Sequence, residues 1–158
     1  MNVAGSGFTL IELLVVLAIM GILAVLTVPI AEVTIQRNRE QELRLSLREI
    51  RSAIDAYKKA YDEGRVPRTA DASGYPKELT TLVQGTVDAK DPGKRKMFFL
   101  RRIPRDPTYP EPADDPAQTW GKRAYESEAD EPREGKDVYD VYSTSSRLGL
   151  NGVPYNKW

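Results

Sequence analysis

Gly7-Phe8-Thr9-Leu10-Ile11-Glu12 opens an apolar run that carries no further charge until Glu32. As helix, Phe8 to Ile30 spans about 34 Å at about 1.5 Å per residue, enough for a hydrocarbon core of about 30 Å. The sequence therefore predicts a transmembrane or bundle-core helix over 8–31. A lone acid inside such a segment needs a reason. On insertion scales an acid at the centre of a membrane helix costs about 2.5–3.5 kcal/mol, and less near the interface. Glu12 lies near one end, where the cost is reduced but not removed.

The stretch behind the apolar run keeps helical periodicity. Leu43, Leu47, Ile50, Ile54, Tyr57 and Tyr61 recur every three or four residues, a single stripe. Arg44, Arg48, Arg51 and Lys58 fill the other faces. No Gly or Pro falls between Ile30 and Glu63, and Gly64 and Pro67 then supply a stop. A helix from Phe8 to Glu63 follows, apolar on all sides in its first half and on one side in its second. Gly21 and Pro29 interrupt the first half. Glycine weakens a helix and proline removes a donor, so the segment between them could bend or unwind, although membrane helices tolerate both. Ala18, Gly21 and Ala24 form a small-residue face for close helix approach.

Beyond Gly64 the chain reads as loops with a few short elements. Tyr75-Pro76, Leu79, Leu82 and Val83 form a short helix or turn. Met97 to Ile103 is an apolar–basic run. Pro104, Pro107, Pro110, Pro112 and Pro116 mark an extended surface loop. Lys122 to Ser127 and Asp137 to Ser143 read as two strands joined by the charged loop 128–136. The tail from Ser143 is polar and turn-rich, and Trp158 docks it on the domain. The fold class is α+β: a long N-terminal helix packed on a small antiparallel sheet with long loops.

Composition narrows the function classes. Of 158 residues, 23 are basic and 23 acidic, which speaks against a dedicated nucleic-acid binder. There is no His and no Cys. That removes His-based triads, Cys nucleophiles, thiolate or imidazole metal sites, disulfides and a lipoprotein anchor. No catalytic residue, metal ligand or cofactor is expected. Asp114-Asp115 and Asp137 with Asp140 are the carboxylate clusters of note, and both read as solvated loop or strand-end residues. A secretory signal peptide would show a basic start, a shorter apolar core and a small-residue cleavage site after it. None of these is present. A plain signal anchor on a periplasmic enzyme stays open as an alternative.

The hexapeptide at 7–12, backed by a membrane-length helix, resembles the class III signal of the type IV pilin-like superfamily. The resemblance implies a leader, 1–7, cut by a prepilin peptidase between Gly7 and Phe8, with N-methylation of Phe8. It implies that Glu12 guides subunits into a helical filament. The amine of a mature Phe8 would be a natural partner. An opposite charge about 4 Å away is worth roughly 4 kcal/mol at an effective dielectric near 20. That amine could belong to a neighbouring subunit or to the same helix, four residues earlier. The resemblance also implies that the segment between Gly21 and Pro29 unwinds on assembly.

Within that superfamily the remainder is most similar to the major pseudopilin of type II secretion, the G-type subunit. The resemblance rests on Ala53, Tyr57 and Tyr61, on Tyr75-Pro76 with Leu79 and Leu82, on Leu100-Arg101-Arg102-Ile103-Pro104-Arg105-Asp106-Pro107, and on Asp137 to Ser143 with Trp158. It implies a non-enzymatic filament subunit in the bacterial inner membrane, single-pass, with 32–158 as a periplasmic domain. Its partners would be other copies of the chain, minor pseudopilins, the prepilin peptidase and the inner-membrane assembly platform, with no nucleic acid. A type IV pilus or DNA-uptake pilin is the second implied role. Three features depart from the family. The leader carries no basic residue, while Arg37, Arg39, Arg44, Arg48 and Arg51 follow the span, the reverse of a positive-inside count. Trp120-Gly121 follows Asp106-Pro107 only after an apparent insertion, 108–119. The family's Asp-rich last loop, which binds calcium, has no counterpart, because 143–158 contains neither Asp nor Glu. No calcium site is expected.

Overall fold

The structure, a computed structural model, describes residues 7–69 and 72–158, with side chains at 25–30 not described. Helix α1 runs Leu10–Asp62. At its start the Glu12 N–H donates to Thr9 Oγ1 at 3.3 Å, and the Leu13 N–H to Thr9 O at 3.2 Å. Thr9 thereby satisfies donors that the first turn leaves orphaned. At its end Gly64 takes φ +71°. The Arg65 N–H then reaches Ala60 O and the Gly64 N–H reaches Tyr61 O, both at 2.9 Å. This is a Schellman stop, which needs a left-handed residue that glycine supplies at no steric cost.

The chain divides into two units, Met1–Asn38 and Arg39–Trp158. In the first unit the apolar side chains are exposed all round the helix, as with Leu10 at 78% and Ile22 at 63%. Among the described residues no helix is long and apolar enough to cross a membrane. The expected span over 8–31 includes 25–30, whose side chains lie outside the described residues. The expected leader over 1–7 lies outside them too, except for Gly7.

In the second unit the α1 stripe makes the core. Leu43, Leu47, Ile50, Ile54 and Tyr57 are buried, and Tyr61 packs at the edge. Helix α2, Leu79–Gln84, sets Leu79 and Leu82 against this stripe. Strands β1, Thr86–Val87, and β2, Lys96–Met97, form one antiparallel pair. Strands β3, Trp120–Arg123, and β4, Asp140–Ser143, form a second. The register pairs Gly121 with Tyr142. A Cβ at Gly121 would lie 2.4 Å from the Tyr142 ring, so the tyrosine covers a strand position that only glycine leaves open.

Three sequence expectations change. The second sheet begins at Trp120, not Lys122, and its strands are shorter than 122–127 and 137–143. Beyond Arg123 the backbone ladder stops: the Tyr125 N–H is taken by the side chain of Asp137, whose Oδ1 accepts at 2.8 Å, and the Val138 N–H donates to Pro76 O at 2.8 Å. The pair at 86–87 and 96–97 had no clear alternation in the sequence. Its loop turns at Pro92-Gly93, where the Lys94 N–H donates to Asp91 O at 2.9 Å, and side chains brace it: Arg65 Nη2 donates to Asp88 Oδ2 at 2.7 Å, and Arg95 Nε donates to Asp91 Oδ2 at 2.7 Å. The proline-rich segment is also not wholly a surface loop. Asp106 and Thr108 are buried, with Asp106 Oδ1 accepting from Thr108 N at 2.7 Å and Oγ1 at 2.6 Å. Thr108 Oγ1 meets Ser143 Oγ at 2.8 Å, and Trp120 Nε1 donates to Pro104 O at 2.8 Å. Local hydrogen bonds and a buried indole draw the loop inward where proline alone predicts exposure.

The stripe should dominate stability. Ile50→Ala is expected to cost about 2–5 kcal/mol in denaturant unfolding, while exposed Leu45→Ala stays within about 0.5 kcal/mol. Arg65 and Arg95 with nearby backbone N–H groups hold the Asp88 and Asp91 carboxyls below their ordinary range. A carboxyl lowered by folding contributes fully above its unfolded value near pH 3.9, and the contribution is lost as pH falls through the folded value. Asp88→Asn with Asp91→Asn is therefore expected to lower the thermal midpoint at pH 7 and to flatten its fall as the pH drops below about 4.

Candidate functional site

Two groups of residues are candidates for function, one in each unit. The first is the start of α1. Gly7, Phe8 and Thr9 precede the helix, and Phe8 is exposed. Accessible, non-helical backbone is what a peptidase requires at a scissile bond. Glu12 lies at the third helical position, where the positive end of the helix dipole favours an acid. Thr9-Leu10-Ile11-Glu12 is also a Thr-x-x-Glu capping signature, a signal carried by the sequence itself. Only half of that box forms: the Thr9 hydroxyl accepts from Glu12 N–H. Among the described residues nothing engages the Glu12 carboxylate, so capping leaves it available to an external cation. Gly21 lies in unbroken helix, and among the described residues nothing packs within 4 Å of its Cβ position. Pro29 falls in the same helix, with its side chain outside the described set.

The second group closes the tail onto α1. Glu40 is one step upstream of Leu43 on the same stripe and is buried. Its Oε1 accepts from the Leu150 N–H at 2.7 Å and the Tyr155 hydroxyl at 3.1 Å. A buried carboxylate is tolerable only with such donors. Arg51, two turns along the helix from Arg44, donates Nε to Asp140 Oδ1 at 2.8 Å and Nη2 to Val141 O and Trp158 O, both at 3.0 Å. The Arg44 guanidinium lies 4.4 Å from the centroid of the Trp158 ring, which meets Tyr155 edge-on at 5.1 Å. Sequence reasoning placed Trp158 on the domain but missed Glu40 and both arginines. The available signal was Glu40's place on an otherwise apolar stripe.

This donor set does not fit calcium. The ion takes six to eight oxygens, largely carboxylate and carbonyl. Glu40, a carboxylate that reaches the tail, is already engaged by two donors. Among the described residues no group of three or more Asp or Glu converges.

Comparison with known proteins bears on the first group by position and on the chain as a whole by similarity. The profile of the prokaryotic N-terminal methylation motif matches residues 5–28. The type II secretion system core protein G of Aeromonas hydrophila is 34% identical over 103 residues, 65% of this chain and 66% of that protein. The core protein G of Klebsiella pneumoniae is 33% identical over 104 residues, 64% of this chain and 67% of that protein. The type IV major alpha-pilin of Moraxella bovis is 34% identical over 87 residues, 55% of this chain and 53% of that protein. The chain thus spans about half to two thirds of the relatives it matches. No solved structure matches.

Glu40→Ala removes the buried carboxylate oxygen that the Leu150 N–H and the Tyr155 hydroxyl share. It is expected to cost about 1–3 kcal/mol and to speed amide exchange across 143–158. Exposed Glu42→Ala, read by the same exchange experiment, is expected to change neither.

Proposed function

We propose, for a chain that belongs to the type II secretion core protein G family of type IV pilin-like proteins, the role of structural subunit in a secretion pseudopilus. The observation that carries this reading is α1. Its first part is apolar on every side, while the part from Leu43 onward has one buried stripe. A helix apolar all round belongs in lipid or in a helix bundle, whereas a one-sided stripe packs a single domain. Each large side chain exposed between Leu10 and Leu23 forgoes about 1.5–3 kcal/mol of burial. The chain is thus always held in one apolar setting or the other. Before assembly that setting is the inner membrane, spanned by 8–31 with 32–158 in the periplasm. After assembly it is the core of a helical filament of identical copies, and extension of the filament drives cargo export.

Processing at the N-terminus prepares the transfer. A prepilin peptidase removes 1–7 and leaves an N-methylated Phe8. The Glu12 carboxylate, unengaged within the described residues, pairs with the amine of Phe8 on an adjacent copy and sets the register. Gly21 and Pro29 permit local unwinding as α1 enters the bundle. Minor pseudopilins and the inner-membrane assembly platform are the further partners. The role is structural and not catalytic. The Moraxella bovis match supports a second reading, a type IV pilus subunit.

Mass spectrometry of the chain from its native membrane tests processing. The expected mature form begins at methylated Phe8, and Gly7→Val should leave the leader attached. A chain still beginning at Met1 beside an active prepilin peptidase would sink the filament reading. Deletion of the gene then separates the two filament types: loss of exoprotein secretion supports the pseudopilus, and loss of surface fibres with secretion intact supports the pilus.

A further inference from the structure

The unit Arg39–Trp158 presents opposite chemistry at two places along α1. Near Lys58 three tyrosines meet. The ring centroids of Tyr75 and Tyr125 lie 5.5 Å apart, those of Tyr75 and Tyr139 5.0 Å, and those of Tyr125 and Tyr139 5.5 Å. Lys58 Nζ is 5.6 Å from the Tyr75 centroid, which ties the cluster to that turn of the helix. Packing accounts for the half-buried Tyr75 and Tyr139, but Tyr125 is 58% exposed. Directly after it come Glu126, Glu128, Asp130 and Glu131, all exposed. Glu131 pairs with its neighbour Arg133 at 2.6 Å. Among the described residues Glu126, Glu128 and Asp130 form no ion pair. Exposed tyrosine beside a charged, wet rim is the composition of a protein interface.

Elsewhere in the same unit, Arg39, Thr108, Ser145 and Arg147, with Glu111 the one lining acid among the described residues, border an open cleft of about 620 Å³. Both arginines are exposed, and neither forms an ion pair among the described residues. The helical rise puts Arg39 about 28 Å from Lys58 along α1. The two patches therefore lie far apart on one domain. Guanidinium groups suit both carboxylates and tyrosine faces.

A solvated acidic loop alone would explain nothing more. The pairing of a tyrosine–carboxylate patch with a distant arginine cleft on one chain does. Two such patches cannot meet within one copy, and a contact between copies is head-to-tail. A head-to-tail contact that does not close generates an open filament. We propose that the Tyr125 cluster with loop 126–131 docks on the Arg39–Arg147 cleft of a second copy of this chain. This rests on the filament reading and assigns that filament a surface outside α1's apolar half.

The chain has no cysteine, so an engineered pair reports alone. Full-length chain carrying Glu131→Cys and Arg147→Cys, assembled in cells with the secretion machinery and oxidised, is expected to give a ladder of disulfide-linked multimers. Each single variant should give none beyond a dimer. Filaments visible by electron microscopy without a ladder would overturn the contact and leave the filament reading standing. Absence of filaments from the unaltered chain would overturn both. If the cysteines themselves block assembly, charge reversal reads the same surface. Glu128→Lys with Glu131→Lys is expected to lower filament yield at least tenfold, and adding Arg39→Glu with Arg147→Glu to restore it. Folded quadruple variant that does not recover would overturn the contact.

Discussion

Burial of one stripe of α1 is what the rest of the domain depends on. Each β-sheet has two strands, and a two-stranded ribbon is marginal in water by itself. Helix α2 has six residues, too few to hold without packing. All of these elements acquire stability by covering Leu43 to Tyr57. The polar ties serve the same end. Arg51 links the helix to β4 and to Trp158, and the Leu82 carbonyl accepts from both Phe99 and Leu100, at 3.1 and 3.0 Å. Each fastens a loop that has no core of its own.

The tail shows how one constraint can be met in two chemistries. The resemblance implies a last loop organised by several carboxylates around a cation. Here the carboxylate comes from the helix, and the tail supplies donors. Glu40 takes the Leu150 N–H and the Tyr155 hydroxyl, while Arg44 supports the Trp158 ring. Both arrangements neutralise buried charge with fixed polar partners. The one seen here places the closing charge on α1, the longest element of the chain.

Much of the fold was legible because the signals were periodic or terminal. The stripe was read from its spacing, the helix stop from Gly64, and the short α2 from Leu79 and Leu82. The β1–β2 pair escaped because two-residue strands carry no alternation, although Pro92-Gly93 marks the turn between them, which the Lys94 N–H closes on Asp91 O at 2.9 Å. The proline segment misled because proline reports on backbone donors and not on burial, which Asp106, Thr108 and Ser143 decide together across the fold. Thr9 was legible as a cap. Glu40 was legible as a charge out of place, but its partners lie more than a hundred residues away.

By itself the sequence determined that an apolar helix bearing one acid at Glu12 continues as an amphipathic one ending before Gly64. Periodicity, charge spacing and caps act over a few residues, so a linear reading reaches them. Only the tertiary structure decided that Glu40 receives the tail, that Arg51 joins α1 to β4, and that Gly121 yields its space to the Tyr142 ring. Those outcomes depend on which distant groups arrive at the same place, and a buried charge or a missing side chain acquires meaning only from what lies against it.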